Sequence, residues 1–222
     1  EEIRRFRQEY TTEELREWFY GITDAYEKWA LFQVEWKEKR NASIKKVEFP
    51  YQYRAGQKKL AAAVYRTIER QKKLFIQAPT GVGNTMATVF PAVKAVGEGL
   101  VDKLFSLPAK TITRTVAQQA FDILKQPGPD GPAAVGPAAV EEGDTALRYK
   151  VITLTAKEKI CFCEKPECNP DYCPYAKGHF DRINDAVYDM ITTSDDMSRQ
   201  AVEEQAKKWQ VCPFELGLDL SL

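Results

Sequence analysis

Residues 78–85 read Ala-Pro-Thr-Gly-Val-Gly-Asn-Thr, the pattern of a phosphate-binding loop with one exception. In such a loop, backbone N–H groups and the N-terminus of the following helix hold the phosphates of a nucleotide. A lysine normally adds charge at the β- and γ-phosphates, and the next hydroxyl holds Mg²⁺. Here Asn84 stands at the lysine position and Thr85 supplies the hydroxyl. The loop therefore predicts a nucleotide cradle that lacks the lysine charge.

Five cysteines form a second candidate site, with four of them crowded into residues 161–173 and Cys212 far downstream. A nucleotide-binding loop indicates a reducing compartment, where clustered cysteines more often bind metal than form disulfides. Four thiolates can hold zinc or a [4Fe–4S] cluster, although the spacing lacks the paired C-x-x-C knuckles of most zinc sites. Free buried thiols or disulfides are the alternative. His179, the only histidine, is expected to be a surface or capping residue and not a ligand.

The loop and the cysteines lie among short apolar runs that alternate with helical patterns, and the strands and helices predicted there would position both sites. Residues 73–77, 103–107 and 149–155 are typical of buried strands. Apolar residues recur at helical spacing after the loop, with Pro91 expected to bend that helix, and again over residues 112–125. Two more helices are predicted before Cys212, the first marked by Phe180, Ile183, Val187 and Ile191 and the second by Val202, Ala206 and Trp209. Strands alternating with helices predict a parallel sheet covered by helices on both faces.

The N-terminal region predicts one long helix over residues 12–44, started by a capping box between Thr11 and Glu14. Its broad aromatic stripe is typical of a core or a docking face more than of a base-stacking surface. Residues 126–145 contain a tandem Gly-Pro-Ala-Ala-Val repeat, which predicts a flexible surface loop without an assigned function.

Composition limits the class of protein. The chain has 222 residues, of which 44% are hydrophobic and 29% charged, as expected for a soluble globular protein. Its net charge is zero, so any nucleic-acid surface must be local. No apolar run is long enough to span a membrane and we expect no signal peptide, which favours the cytoplasm. The first residue is glutamate and the last apolar run stops at Leu222, so we expect a fragment at both ends.

Four stretches occur together in residues 49–222: FPYQYRAGQ, APTGVGNT, LPAKTITRTVAQQ, and LTAKEKIC followed by CPYAKGHFDRI and CPFEL. Together they resemble the iron–sulfur helicases of the XPD/DinG group in superfamily 2, in particular the bacterial DinG-like ATP-dependent DNA helicases. This resemblance implies an α/β fold: an incomplete P-loop NTPase (RecA-like) parallel sheet with an inserted small α-helical iron–sulfur domain and an N-terminal helix. The resemblance implies an N-terminal helical segment at residues 1–47 and part of the first motor domain at residues 48–156, with its flexible loop at 126–145. The iron–sulfur insert would follow at residues 157–213, and a truncated return to the motor domain at residues 214–222.

The resemblance also implies roles for individual residues. Those expected to bind the nucleotide are Arg54, Gln57, Thr80, Gly81, Val82, Gly83, Asn84 and Thr85. Gln57 would read adenine, and Thr85 would be catalytic through its Mg²⁺. Those expected to contact single-stranded DNA are Lys110, Thr111, Thr113 and Arg114. The cluster ligands would be Cys161, Cys168, Cys173 and Cys212, with Cys163 as the spare because Cys161 ends the Lys-Glu-Lys-Ile-Cys string.

The implied function is ATP-dependent 5′–3′ unwinding of DNA in repair or replication, with ATP, Mg²⁺ and a [4Fe–4S] cluster as cofactors and the bacterial nucleoid as the place of work. Asn84, Pro108 in place of the usual threonine, and the missing acidic motif and second motor domain predict that this chain alone is inactive. Basic and aromatic residues near the cysteines fit either a DNA contact or a solvated face. Two alternatives are a non-catalytic iron–sulfur module that binds DNA or a partner, and a P-loop kinase with a zinc insert.

Overall fold

A computed structural model describes residues 4–78, 83–108, 111–125 and 147–222, with the side chains of residues 111–114 left out. Eight helices and two short strands lie in these ranges. In chain order they are α1 (Thr12–Lys46), α2 (Gln57–Glu69), α3 (Asn84–Gly97), α4 (Thr111–Leu124), β1 (Val151–Ile152), α5 (Lys157–Ile160), α6 (His179–Thr193), β2 (Asp196–Met197), α7 (Arg199–Trp209) and α8 (Pro213–Asp219). The predicted loop 126–145 lies outside the described residues.

The prediction of a RecA-like parallel sheet is wrong for the described part of the chain, which is mostly helical. Its only sheet pairs β1 with β2 in parallel, with Val151 opposite Asp196. Residues 73–77 and 103–107 form no strand, and Phe75 and Phe105 are 94% and 72% exposed. A strand needs a neighbour for its backbone N–H and C=O groups, and an apolar run does not reveal whether that neighbour exists.

The long N-terminal helix is confirmed, and its start follows from the predicted capping box. The Glu14 carboxylate accepts from the backbone N–H of Thr11 at 2.7 Å, and the Thr11 hydroxyl accepts from the Glu14 N–H at 3.2 Å. These bonds satisfy two backbone donors that a helix start otherwise leaves without a partner. The chain divides into two compact units, Glu1–Lys37 and Glu38–Leu222, so α1 begins in the first unit and ends in the second.

The last turn of α1 belongs to the core of the second unit. Ile44 is fully buried with residues of α3 and α4, and Gly97 lies so close to it that an added Cβ would clash with the Ile44 side chain. The Lys94 ammonium group donates to the carbonyl oxygens of Ile44, Lys45 and Val47 at 3.0–3.2 Å. A cation at a helix C-terminus stabilises carbonyl groups that have no intrahelical partner. This contact fixes α3, which follows the phosphate-binding loop.

Helices α5–α8 surround a second group of buried side chains. Its members share near-complete burial and come from all of these helices or the turns between them: Ile160, Ile183, Val187, Met190, Val202, Ala206, Val211 and Leu216. The predicted helices around Ile183 and Val202 are confirmed as α6 and α7. Within the described ranges, no helix combines the length and apolar character needed to cross a membrane.

Candidate functional site

Two of the predicted nucleotide segments meet at Gln57. This side chain is 5% exposed at the start of α2. Its Oε1 accepts from the Arg54 backbone N–H at 2.8 Å, and its Nε2 donates to the Gly83 carbonyl at 3.4 Å. Gly83 has a φ of +77°, and a Cβ there would clash with the Gln57 amide. The positive φ and the close approach of the Gln57 amide explain why glycine stands at position 83. The hydrogen bond joins Gln57, the residue predicted to read adenine, to the end of the loop.

Helix α3 begins at Asn84, directly after the loop. Asn84 and Thr85 are both half-buried, and their carbonyls accept from the Thr88 hydroxyl at 3.1 and 2.9 Å. A helix N-terminus at this position suits an anion, but residue 84 brings no positive charge to it. Thr80, Gly81 and Val82 lie outside the described residues, so their positions stay predictions.

A cavity of about 360 Å³ lies between α2 and α3 and opens to solvent. Tyr53, Tyr65, Phe90 and Pro91 are among its lining residues. Tyr53 precedes Arg54, and its ring stacks on Phe49 with centroids 4.1 Å apart. An aromatic-lined space of this size can accommodate a planar base, although neither Arg54 nor Gln57 lines it.

The predicted DNA-contacting residues of the third stretch cannot be located as side chains. Lys110 lies outside the described residues, and Thr111, Thr113 and Arg114 are known only as backbone in the first turn of α4. Their roles stay predictions.

The cysteines are brought together from separate elements. Cys163 Sγ lies 3.6 Å from Cys173 Sγ. Burial and the neighbouring Cys173 and Cys161 thiols raise the pKa of the Cys163 thiol to about 11. Burial likewise raises the pKa of Cys212, and nearby Cys168 adds to that rise. All five sulfurs are present as free thiols.

The cysteine thiols are suitable donor atoms for a metal, but their positions do not form a metal-binding group. Cysteine thiolates are the donors that zinc and iron–sulfur clusters share. However, among the residues that the structure describes, no three cysteine, histidine or acidic side chains already form a metal-binding group. Metal binding is often coupled to folding, so converging thiols can close around an ion only when it binds. The predicted ligands Cys161, Cys168, Cys173 and Cys212 thus have suitable donors but no preformed site.

Cys212 lies directly before α8 and is hydrogen-bonded to His179 at the start of α6. The Cys212 N–H donates to His179 Nδ1 at 3.3 Å, and His179 is 6% exposed. His179 was expected to be a surface or capping residue, and its burial makes the surface alternative wrong. The capping alternative agrees with its bond to Cys212, the residue that precedes α8, and burial lowers the pKa of His179. The partner itself could not be predicted, because a lone histidine carries no sequence signal for a residue 33 positions away.

Asp189 of α6 holds α6 against α7. Cys212 follows α7 in the chain. Asp189 Oδ2 accepts from Lys208 Nζ at 2.6 Å, Gln205 Nε2 at 2.8 Å and Trp209 Nε1 at 3.0 Å. These bonds lower the pKa of the Asp189 carboxyl group to about 2. One carboxylate thus satisfies three donors on the neighbouring helix.

Asp189→Ala is expected to lower the free energy of unfolding by about 2 kcal/mol at neutral pH, because it leaves the Trp209 and Gln205 donors without this acceptor. The folded-state pKa lies below the ordinary carboxyl value, so the stabilisation is present above pH 4 and disappears as the pH falls towards about 2. Urea melts at neutral and acidic pH measure both effects. Glu204→Ala, on the exposed face of α7, is the matched control and should change stability by less than about 0.5 kcal/mol. Equal losses in the two variants would exclude the role of Asp189.

Exposed aromatic and basic side chains surround the cysteines. Phe180, which the helical pattern grouped with the buried face of α6, is instead 87% exposed. Tyr172, Lys165 and Lys177 are also exposed. Arg182 differs, because its guanidinium group donates to the carbonyls of Trp209, Lys177 and Gln210 and serves the fold. The surface therefore has aromatic and basic side chains available to a polyanion.

No family model matches this chain, and neither a curated protein nor a solved structure matches it.

Proposed function

We propose that this chain is the nucleotide-binding and iron–sulfur part of an ATP-dependent 5′–3′ DNA helicase that works on the bacterial nucleoid in repair or replication. The observation that carries the proposal is the grouping of five cysteines from α5 to α8 in a chain that also has a phosphate-binding loop. Few functions require both a nucleotide cradle and a set of thiolate donors. When bound, a cluster supplies a cross-link between the segments that carry its ligands.

The contact between Gln57 and Gly83 supports nucleotide binding, because it links the segment before the loop to its end. The proposal assigns binding, not turnover, to the chain as described. Asn84 removes the charge that the β- and γ-phosphates need. The described residues also have one two-residue strand pair, in place of the sheet on which a helicase motor closes.

The exposed side chains next to the cysteines support contact with single-stranded DNA. Bases stack on exposed aromatic rings, and lysines pair with phosphates. Phe180 has the most exposed of these rings, and it follows His179, which holds Cys212.

Phe180→Ala is expected to weaken binding of a fluorescent single-stranded oligonucleotide by about tenfold, the effect of losing one stacked base. Fluorescence anisotropy with the metal-loaded chain measures it. Phe75→Ala is the matched control, because Phe75 is 94% exposed but lies outside the cysteine-bearing region. Binding should also fall steeply with salt. If both variants bind like the unmodified chain, or if the unmodified chain does not bind, the DNA contact proposed for this surface is wrong.

Asn84 favours a second candidate, a non-catalytic iron–sulfur module that binds DNA or a partner without using ATP. The two candidates differ in the effect of nucleotide. The helicase part should bind ATP measurably and change its affinity for DNA when it does so. The module should bind DNA with the same affinity whether or not ATP is present.

A further inference from the structure

Two side chains at the start of α6 hold the segment that leads to Cys212. The Arg182 guanidinium group donates to the carbonyls of Trp209 and Gln210, at 3.0 and 2.7 Å, where α7 ends. These carbonyls have no partner within α7, so the bonds fix the end of that helix. The Cys212 N–H, two residues further on, donates to Nδ1 of His179 at 3.3 Å. The segment is therefore bonded to α6 through its carbonyls and through an N–H.

The same end of α6 is bonded to the turn that follows Cys173. The Cys173 carbonyl accepts from the N–H groups of Ala176 and Lys177 at 3.1 and 3.2 Å. The Ala176 carbonyl in turn accepts from the His179 N–H at 3.2 Å. Arg182 also donates to the Lys177 carbonyl, at 2.7 Å. Two predicted ligands that lie far apart in the chain are thus tied to one helix start by bonds that need no metal.

We propose that His179 is a positioning residue of the metal site, which holds the Cys212 backbone for metal binding through its ring Nδ1. An Nδ1 that accepts a hydrogen bond carries no proton, so the ring acts as the neutral tautomer with its proton on Nε2. The ring is 6% exposed, so little water reaches this bond to replace it. This inference rests on the proposed function, because it concerns the same thiolate ligands.

Holding one ligand in advance matters because the thiols are not yet arranged around an ion. Among the described residues, the predicted ligands do not already form a metal-binding group. Metal binding must therefore supply the ordering of their segments, and each segment that is already fixed reduces that cost. Residues that orient a metal ligand without touching the metal contribute about 10- to 100-fold to metal affinity.

Amide hydrogen exchange in the full chain without metal, followed by NMR, tests the bond itself. The Cys212 N–H should exchange slowly in the unmodified chain. His179→Phe keeps a ring of similar size but removes the acceptor, so exchange should become at least about tenfold faster. His179→Asn should restore the exchange rate to within about threefold, because its Oδ1 is an acceptor separated from Cα by as many bonds as the histidine Nδ1.

Titration of the reduced full chain with Co²⁺ alone tests the effect on the metal site. Charge-transfer absorption from thiolate to cobalt reports binding through sulfur. His179→Phe should weaken Co²⁺ binding by about tenfold or more, whereas His179→Asn should stay within about threefold of the unmodified chain. Asn184→Ala is the matched control, because Asn184 lies on the same helix but is exposed, and it should bind Co²⁺ like the unmodified chain.

The outcomes separate this inference from the proposed function. If the unmodified chain and His179→Phe bind Co²⁺ equally well, the positioning role is wrong and the metal site stands. Equal losses in His179→Phe and His179→Asn would also overturn it, because the packing of the ring and not its acceptor would then matter. Fast exchange of the Cys212 N–H in the unmodified chain would overturn it as well. A chain that binds no Co²⁺ at all would contradict both the inference and the proposed metal site.

Discussion

Replacing Cys168 or Cys212 with serine is expected to lower the metal content of the chain by about tenfold or more and to unfold residues 157–213. Each variant removes one of four proposed thiolate ligands, and an incomplete ligand set loses the free energy of metal binding that closes the region. Cys212 lies at the start of α8, whereas Cys168 lies in the segment between α5 and α6, so the metal would tie distant parts of the chain together. Elemental analysis and thermal melting, followed on the same samples, measure both effects.

Cys163→Ser is the control for these variants. It removes a thiol from the same neighbourhood but not a proposed ligand, so the metal should remain bound. Cys163 is a demanding control because its sulfur lies only 3.6 Å from that of Cys173. If Cys163→Ser empties the site and Cys161→Ser does not, the ligand is Cys163, and the choice made from the Lys-Glu-Lys-Ile-Cys string is wrong.

Asn84→Lys is expected to strengthen ATP binding by about 10- to 100-fold. A lysine at the start of α3 would add a charge-assisted contact to the phosphates, typically worth about 1.5–3 kcal/mol. The gain should be larger for ATP than for AMP, because the added charge acts at the β- and γ-phosphates. Calorimetric titration with ATP, ADP and AMP measures the affinities.

Asn84→Met separates charge from size, since methionine has a long side chain without charge. Its affinity for ATP should stay within about twofold of the unmodified chain. An equal gain with methionine would attribute the effect to packing, and no gain with lysine would mean that residues 78–85 do not bind phosphate. Gln57→Ala should abolish the benefit of Asn84→Lys if the bond from Gln57 to Gly83 holds the loop in its binding position.

The helices could be predicted from the sequence because their signals are local. The capping box of Thr11 and Glu14 predicts the start of α1, and the buried residues Ile183 and Val187 of α6 repeat at helical spacing. Phe180 shows the limit of this reasoning. It shares the apolar character of its neighbours, but it lies in the first turn of α6, where its side chain is exposed.

The strands and the exact cysteine contacts depend on distant partners and could not be predicted in the same way. Residues 73–77 have strand-like composition, but no strand pairs with them in the described part of the chain. Ile152 lies in the predicted strand 149–155, but its partner Met197 lies in sequence that gave no strand signal. The cysteines were recognised as one group from sequence, yet the closeness of Cys163 to Cys173 and the bond from Cys212 to His179 follow from tertiary folding.

The most direct test of the proposed function is the iron, acid-labile sulfide and zinc content of the chain purified without oxygen. We predict a brown protein with about four iron and four sulfide per chain, as a [4Fe–4S] cluster requires, and little zinc. A colourless protein with one zinc per chain, or one without metal whose cysteines are free or paired as disulfides, would contradict it.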